Sequence, residues 1–137
     1  MNDDTLRTLL NSTTTIAVVG LSADAARPSH GVARYLRDQG YRIIPVNPTV
    51  EEVLGEKAYP NLDAVPVPVD VVDVFRLPNA VPEIVEAAIR IGAKAVWMQE
   101  GIAHPEAARR AEDAGLIAVQ NRCMMKEHFR LVGPKFD

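Results

Sequence analysis

Gly20, Ser22 and Arg27 stand close together in the run Gly20-Leu21-Ser22-Ala23-Asp24-Ala25-Ala26-Arg27-Pro28-Ser29-His30-Gly31, directly after an apolar segment. A glycine that lets the chain turn, a hydroxyl and a guanidinium ahead of a helix start are the parts of a phosphate seat. The free N–H groups of the helix favour an anion, and arginine meets phosphate bidentately. The spacing is not G-x-G-x-x-G, and an ordinary strand-to-helix turn with a solvated arginine accounts for the same residues. Asn47-Pro48 closes the second apolar run, Tyr41–Val46. Dinucleotide-binding folds place an Asp or Glu there to take the ribose hydroxyls. A neutral amide and a proline remove the carboxylate that selects NAD.

Cys123 follows Asn121-Arg122 at the end of the last apolar run. Beside an arginine and a helix start its thiolate would be favoured, which suits attack on an acyl thioester or a mixed disulfide. A buried thiol filling a small space is the other reading. His30, near the first helix start, is read as a phosphate contact or a solvated cap. His104, before Pro105, is read as a helix-start residue, and His128 as a surface residue of the terminal segment. Glu100 and Glu127 lie near the strand ends, but no paired-carboxylate spacing supports acid–base chemistry. One cysteine and three scattered histidines are a poor set of metal ligands, so no metal is expected.

The elements that must hold these residues repeat one pattern. Asp38-Gln39-Gly40 precedes Tyr41–Val46, Arg90-Ile91-Gly92 precedes Lys94–Met98, and Asp113-Ala114-Gly115 precedes Leu116–Gln120. Each reads as a helix end, a glycine just past it and a short apolar strand. Thr15–Gly20 and Val69–Phe75 supply two more strands, with Asp73 near a strand end or facing a polar neighbour. Val81, Ile84, Val85, Ala88 and Ile89 form one helical stripe, capped by Asn79 with Pro82 in its first turn. Val32, Tyr35 and Leu36 form another on Ser29–Gln39. Leu6, Leu9 and Leu10 predict an N-terminal helix, Pro105–Ala114 a further one, and Cys123–Arg130 a last. Thr49–Pro68 reads as loop with one helical turn at Leu62–Val65. The alternation predicts an α/β, Rossmann-like, doubly wound sheet of five parallel strands in three α/β/α layers, ordered 3-2-1-4-5. Ligands of such sheets bind beyond the carboxyl ends of the strands.

At 137 residues, 47% hydrophobic and 24% charged, the chain is expected to be one globular domain over 1–137. A net charge of -3 without a basic stripe argues against nucleic acid. No apolar run is long enough to span a membrane. Met1-Asn2-Asp3-Asp4 is too acidic for the start of a signal peptide, and a lone cysteine fits a reducing compartment, so the expected location is cytoplasmic.

Six stretches carry a resemblance: VVGLSADAARPSHGVARYL at 18–36, IIPVNP at 43–48, GEKAYPNLDAVP at 55–66, VDVVDVFRLP at 69–78, GAKAVWMQEGI at 92–102 and NRCMMKEH at 121–128. In these the chain resembles the small stand-alone CoA-binding proteins, whose Rossmann-like domain is shared with the N-terminal part of the succinate–CoA ligase alpha subunit. The resemblance implies coenzyme A as the ligand, with its pyrophosphate at the first loop and its adenine near the second and third strand ends. It implies contacts from Gly20, Ser22, Arg27, Asn47, Pro48, Phe75 and Arg76, with Gln99 and Gly101 toward the thiol-bearing arm. An Asp at position 47 would repel the ribose phosphate of CoA, and Asn47 does not. The related ligases use a phosphorylated histidine on a second domain, which has no counterpart here, so a non-catalytic carrier or sensor of CoA or acyl-CoA is expected. An NAD(P)-dependent oxidoreductase, an acyl-CoA-handling enzyme and a redox module built on Cys123 are the rival readings. The expected assembly is a monomer or homodimer.

Overall fold

Thr15-Ile16-Ala17-Val18-Val19 is buried at every position. Such a strand must be covered on both faces, as in a parallel sheet between helices. The computed structural model describes residues 1–135; Phe136 and Asp137, which the single-domain expectation includes, lie outside the described residues. In chain order the elements are α1 (Asp3–Ser12), β1 (Thr15–Val19), α2 (Pro28–Asp38), β2 (Arg42–Val46), β3 (Glu52–Val53), β4 (Glu56–Lys57), β5 (Val71–Val74), α3 (Val81–Arg90), β6 (Ala95–Met98), α4 (Pro105–Asp113), β7 (Ile117–Val119) and α5 (Met124–Leu131). Short 3-10 turns cover Leu62–Ala64 and Pro78–Ala80.

Five of the strands form one parallel sheet in the order β2-β1-β5-β6-β7. The expected order, 3-2-1-4-5, is wrong in one respect: the third parallel strand, β5, lies inside the sheet against β1 and not outside β2. Val18 pairs with Pro45 on one side and Asp73 on the other. Two features keep β2 at the edge. Pro45 has no N–H to give to a further strand. The free side of β2 is also already taken by Tyr59, which donates to the Pro45 carbonyl at 3.0 Å and accepts from Asn47 N–H at 2.9 Å.

The strands divide two cores by alternation. Ile16, Val18, Ile43, Val71 and Trp97 pack under α1, α2 and α5. Ala17, Val19, Ile44, Val72, Val74, Val96 and Met98 pack under α3 and α4. Trp97 is fully buried and its Nε1 donates to the Arg122 carbonyl at 2.8 Å, tying β6 to the start of α5. α5 is also tied to α2, because Tyr35 Oη lies 2.9 Å from His128 Nδ1. His128 is therefore buried, contrary to the surface position expected, and burial holds its pKa below the usual histidine value. Asn79 falls inside the 3-10 turn, so α3 starts after Ala80 with no side-chain cap, while Pro82 does occupy its first turn.

The segment Thr49–Pro68 holds more structure than expected. The 3-10 turn at Leu62–Ala64 stands where a helical turn is predicted, capped by Asn61. The β3–β4 hairpin is new. Its turn residues Leu54 and Gly55 both have positive φ, 55° and 77°, and leucine at the first of these conceals a turn that asparagine would announce. No helix among the described residues is long and apolar enough to cross a membrane.

Candidate functional site

Gly20 sets the geometry of the sheet edge. Its φ is +90°, and a Cβ there would lie 2.4 Å from the Phe75 carbonyl oxygen and 3.0 Å from Cδ of Arg76. Only glycine allows the end of β1 to pass so close to the end of β5. These two strand tips stand side by side at the point where the connections leave in opposite directions, the place where open α/β sheets bind ligands.

The loop after β1 is organised by its own polar groups. Ser22 Oγ accepts from Asp24 N–H at 3.0 Å, Asp24 Oδ1 accepts from Ala26 N–H at 2.9 Å, and Ser29 Oγ accepts from Ser22 N–H at 3.0 Å. α2 then begins at Pro28 with Arg27 at the cap position and no side chain on its first N–H groups. Arg27 and Arg76, like Arg34, Arg42 and Arg109, form no salt bridge among the described residues, whereas Arg7, Arg37, Arg90, Arg110, Arg122 and Arg130 each pair with an acid. Two unpaired guanidiniums thus flank an uncapped helix start.

Asn47 uses both ends of its amide inside the protein. Nδ2 donates to the Leu21 carbonyl at 3.1 Å, and Oδ1 accepts from Thr49 N–H at 2.9 Å and from Thr49 Oγ1 at 2.8 Å. It staples the loop after β1 to the loop after β2. A carboxylate could make only the second half of that link.

Three cavities open along this edge. One, of about 300 Å³, lies at Gly20, Ser22, Arg27, Ser29 and Phe75. A second, of about 320 Å³, lies on the α3 side, with Val46, Pro48, Asp63, Arg76, Glu83 and Arg90 in its wall. The third, of about 480 Å³, lies on the α2/α5 side, with Phe75, Arg76, Gln99, Gly101, Ile102 and Cys123 in its wall. Phe75 lines the first and third, and Arg76 the second and third, so the three are neighbours along the edge. Of the residues to which the sequence points, Gly20, Ser22, Arg27, Pro48, Phe75, Arg76, Gln99 and Gly101 all line this edge. Asn47 lines none of the cavities; its part is to hold two loops together. Asp63, Glu83 and Arg90 were not foreseen, because they reach the edge from the irregular segment and the helix α3.

Beneath the third cavity lies Asp73, at the middle of the sheet and fully buried. Gln99 Nε2 donates to its Oδ1 at 2.6 Å, while Oδ2 has no partner. Burial pushes the carboxyl pKa up to about 7. The polar neighbour expected for this acid is thus Gln99. Cys123 stands at the cap position of α5 and is 7% exposed. Burial pushes its thiol up, and the Glu100 and Asp73 charges add to that, opposite to the lowered pKa that a reactive thiolate needs. His104 does start α4, with Nδ1 accepting from Ala107 N–H at 3.1 Å. Among the described residues no cluster of side chains is arranged to hold a metal ion.

The whole chain has close relatives. It is 37% identical over 123 residues, 90% of this chain and 91% of the relative, to the uncharacterized protein YneT of Bacillus subtilis. A hypothetical protein from Pyrococcus horikoshii OT3 superposes with a TM-score of 0.94 at 46% identity, over 97% of this chain and 94% of that one. A dinucleotide-forming acetyl-coenzyme A synthetase 1 of Ca. Korarchaeum cryptofilum contains a similar unit, with a TM-score of 0.70 at 28% identity, over 82% of this chain and 27% of that one. The same Rossmann-like fold is therefore also found within an acetyl-coenzyme A synthetase. Residues 14–129 match the model of the CoA binding domain, and the chain belongs to that family.

Proposed function

We propose that this protein binds coenzyme A or an acyl-CoA along the carboxyl edge of its sheet and carries or senses it without catalysis of its own. The observation that carries the reading is that three unlike cavities lie side by side on this edge, with Phe75 and Arg76 in the walls that adjoin. A nucleotide, a pyrophosphate and a long uncharged arm ending in sulfur need three such compartments. The uncapped start of α2 with Arg27 and Ser22 receives the pyrophosphate. The α3-side cavity, with Pro48 and Arg76, receives the adenosine and its ribose phosphate. The α2/α5-side cavity, with Gln99 and Gly101, receives the pantetheine arm. A single adenosine-binding crevice would serve NAD as well, but position 47 offers no carboxylate to its ribose, and a carboxylate there would break the staple to Leu21.

Calorimetric titration with CoA, acetyl-CoA, NAD and NADP tests this. CoA or acetyl-CoA should bind at least about 100-fold more tightly than either dinucleotide, a difference of roughly 2.7 kcal/mol. Binding of NAD or NADP with no binding of CoA refutes the proposal. Turnover of acyl-CoA by the purified chain would refute its non-catalytic part.

A further inference from the structure

Asp73 lies between Val18 of β1 and Trp97 of β6 in register, with no accessible surface and no cation beside it. A carboxyl in such a place is costly, and its single hydrogen bond shows what it organises. That bond pins Nε2 of Gln99. An amide has one donor end and one acceptor end, so pinning one directs the other. Gln99 Oε1 has no partner among the described residues. The buried side-chain atoms that lack one are His30 Nδ1 and Asp73 Oδ2, so Oε1 is not sealed in the core, and Gln99 lines the cavity above it.

We propose that Asp73 is a positioning residue that, through Gln99, makes the α2/α5-side cavity discriminate the free thiol of CoA from an acyl thioester. The inference rests on the CoA reading above. With Nε2 held by Asp73, the cavity offers an acceptor. A thiol S–H can donate to it, whereas a thioester carbonyl meets a second set of lone pairs. When Asp73 takes up a proton from solvent, its hydroxyl donates to Oε1. The amide then turns over, and Nε2 faces the cavity as a donor to the thioester carbonyl. The other titratable groups on this cavity are the Cys123 thiol at the start of α5, Glu100 in the loop after β6 and Arg76 at the mouth. α2 contributes Pro28 and Val32 and β5 leads into Phe75, none of them ionisable.

The test is calorimetry at pH 8 and pH 5.5 with CoA, acetyl-CoA and adenosine 3′,5′-bisphosphate, which lacks the pantetheine arm. At pH 8 the wild type should prefer CoA over acetyl-CoA by about five- to tenfold, and the preference should shrink or reverse at pH 5.5. Asp73→Asn should show the same ratio at both pH values, and Gln99→Met no preference at either. Affinity for the bisphosphate should be unchanged by both substitutions, which a general structural loss would not allow. A wild-type ratio that ignores pH, or a pH-dependent ratio that survives Asp73→Asn, overturns the inference. If Asp73→Asn does not fold, an undiminished preference in Gln99→Met overturns it alone. Failure of both CoA and the bisphosphate to bind the wild type removes the CoA reading itself.

Discussion

The two cavities that share Arg76 are built from opposite faces of one sheet, and they differ in kind. The α3-side cavity has an apolar floor of Val19 and Val46 and a charged rim, where Arg90 pairs with Asp63 at 2.9 Å. The α2/α5-side cavity is walled by Phe75, Ile102 and Cys123, with a buried acid–amide pair under it. Ion pairs on an exposed rim are weak and exchangeable, whereas a buried carboxyl is sensitive to every change around it. One side carries an ion pair on its rim, the other an apolar wall over a buried acid–amide pair.

The strongest way to break the comparison is to remove what holds the two sides in place. Gly20→Ala forces a Cβ against the Phe75 carbonyl at a positive φ, and should cost ~3–5 kcal/mol of stability in urea unfolding, with loss of binding at both cavities. The next effect belongs to the α2/α5 side alone. Asp73 keeps its proton in the folded state up to about pH 7, while the unfolded chain releases it near 3.8. Its contribution to stability is full below that lower value and is lost as pH rises to about 7, at up to about 1.4 kcal/mol per pH unit. Asp73→Asn should flatten that slope in denaturation curves between pH 4 and pH 7; an unchanged slope would show that the carboxyl is ionised in the fold.

Arg76→Ala and Arg27→Ala should separate the compartments. Each should weaken CoA by about 1.5–3 kcal/mol in calorimetry without lowering stability. Arg76→Ala should be the more damaging, since its side chain serves both cavities. Equal and negligible losses would place the phosphates elsewhere. The smallest expected effect is at His128, whose neutral form is favoured by burial. Its contribution is complete above the unfolded value near 6.5 and is lost as pH falls through the lower folded value, so acid should loosen α5 from α2. His128→Gln should remove this acid dependence. In the wild type, acid should affect CoA more than adenosine 3′,5′-bisphosphate.

Most of the edge was legible because chemistry and element ends coincide in the sequence. Glycines after helices mark where β2, β6 and β7 begin, apolar runs of strand length mark where the five strands end, and Gly20, Phe75 and Arg76 stand just past those ends, with Arg27 at the helix start that follows β1. Strand order was harder. Handedness allows more than one arrangement, and the deciding signals were a proline inside β2 and the pairing of Tyr59 along its outer side. The stapling role of Asn47 was not legible, because an amide that can meet a ligand can also join two loops. The burial of His128 depends on α2 and α5 meeting, a contact between residues 93 positions apart.

Trp97 is the sole tryptophan of the chain, and its indole hydrogen bond ends on the segment that introduces Cys123. The protein thus carries its own optical reporter. Ultraviolet emission from that ring should register any displacement of α5, with no dye attached and no residue exchanged.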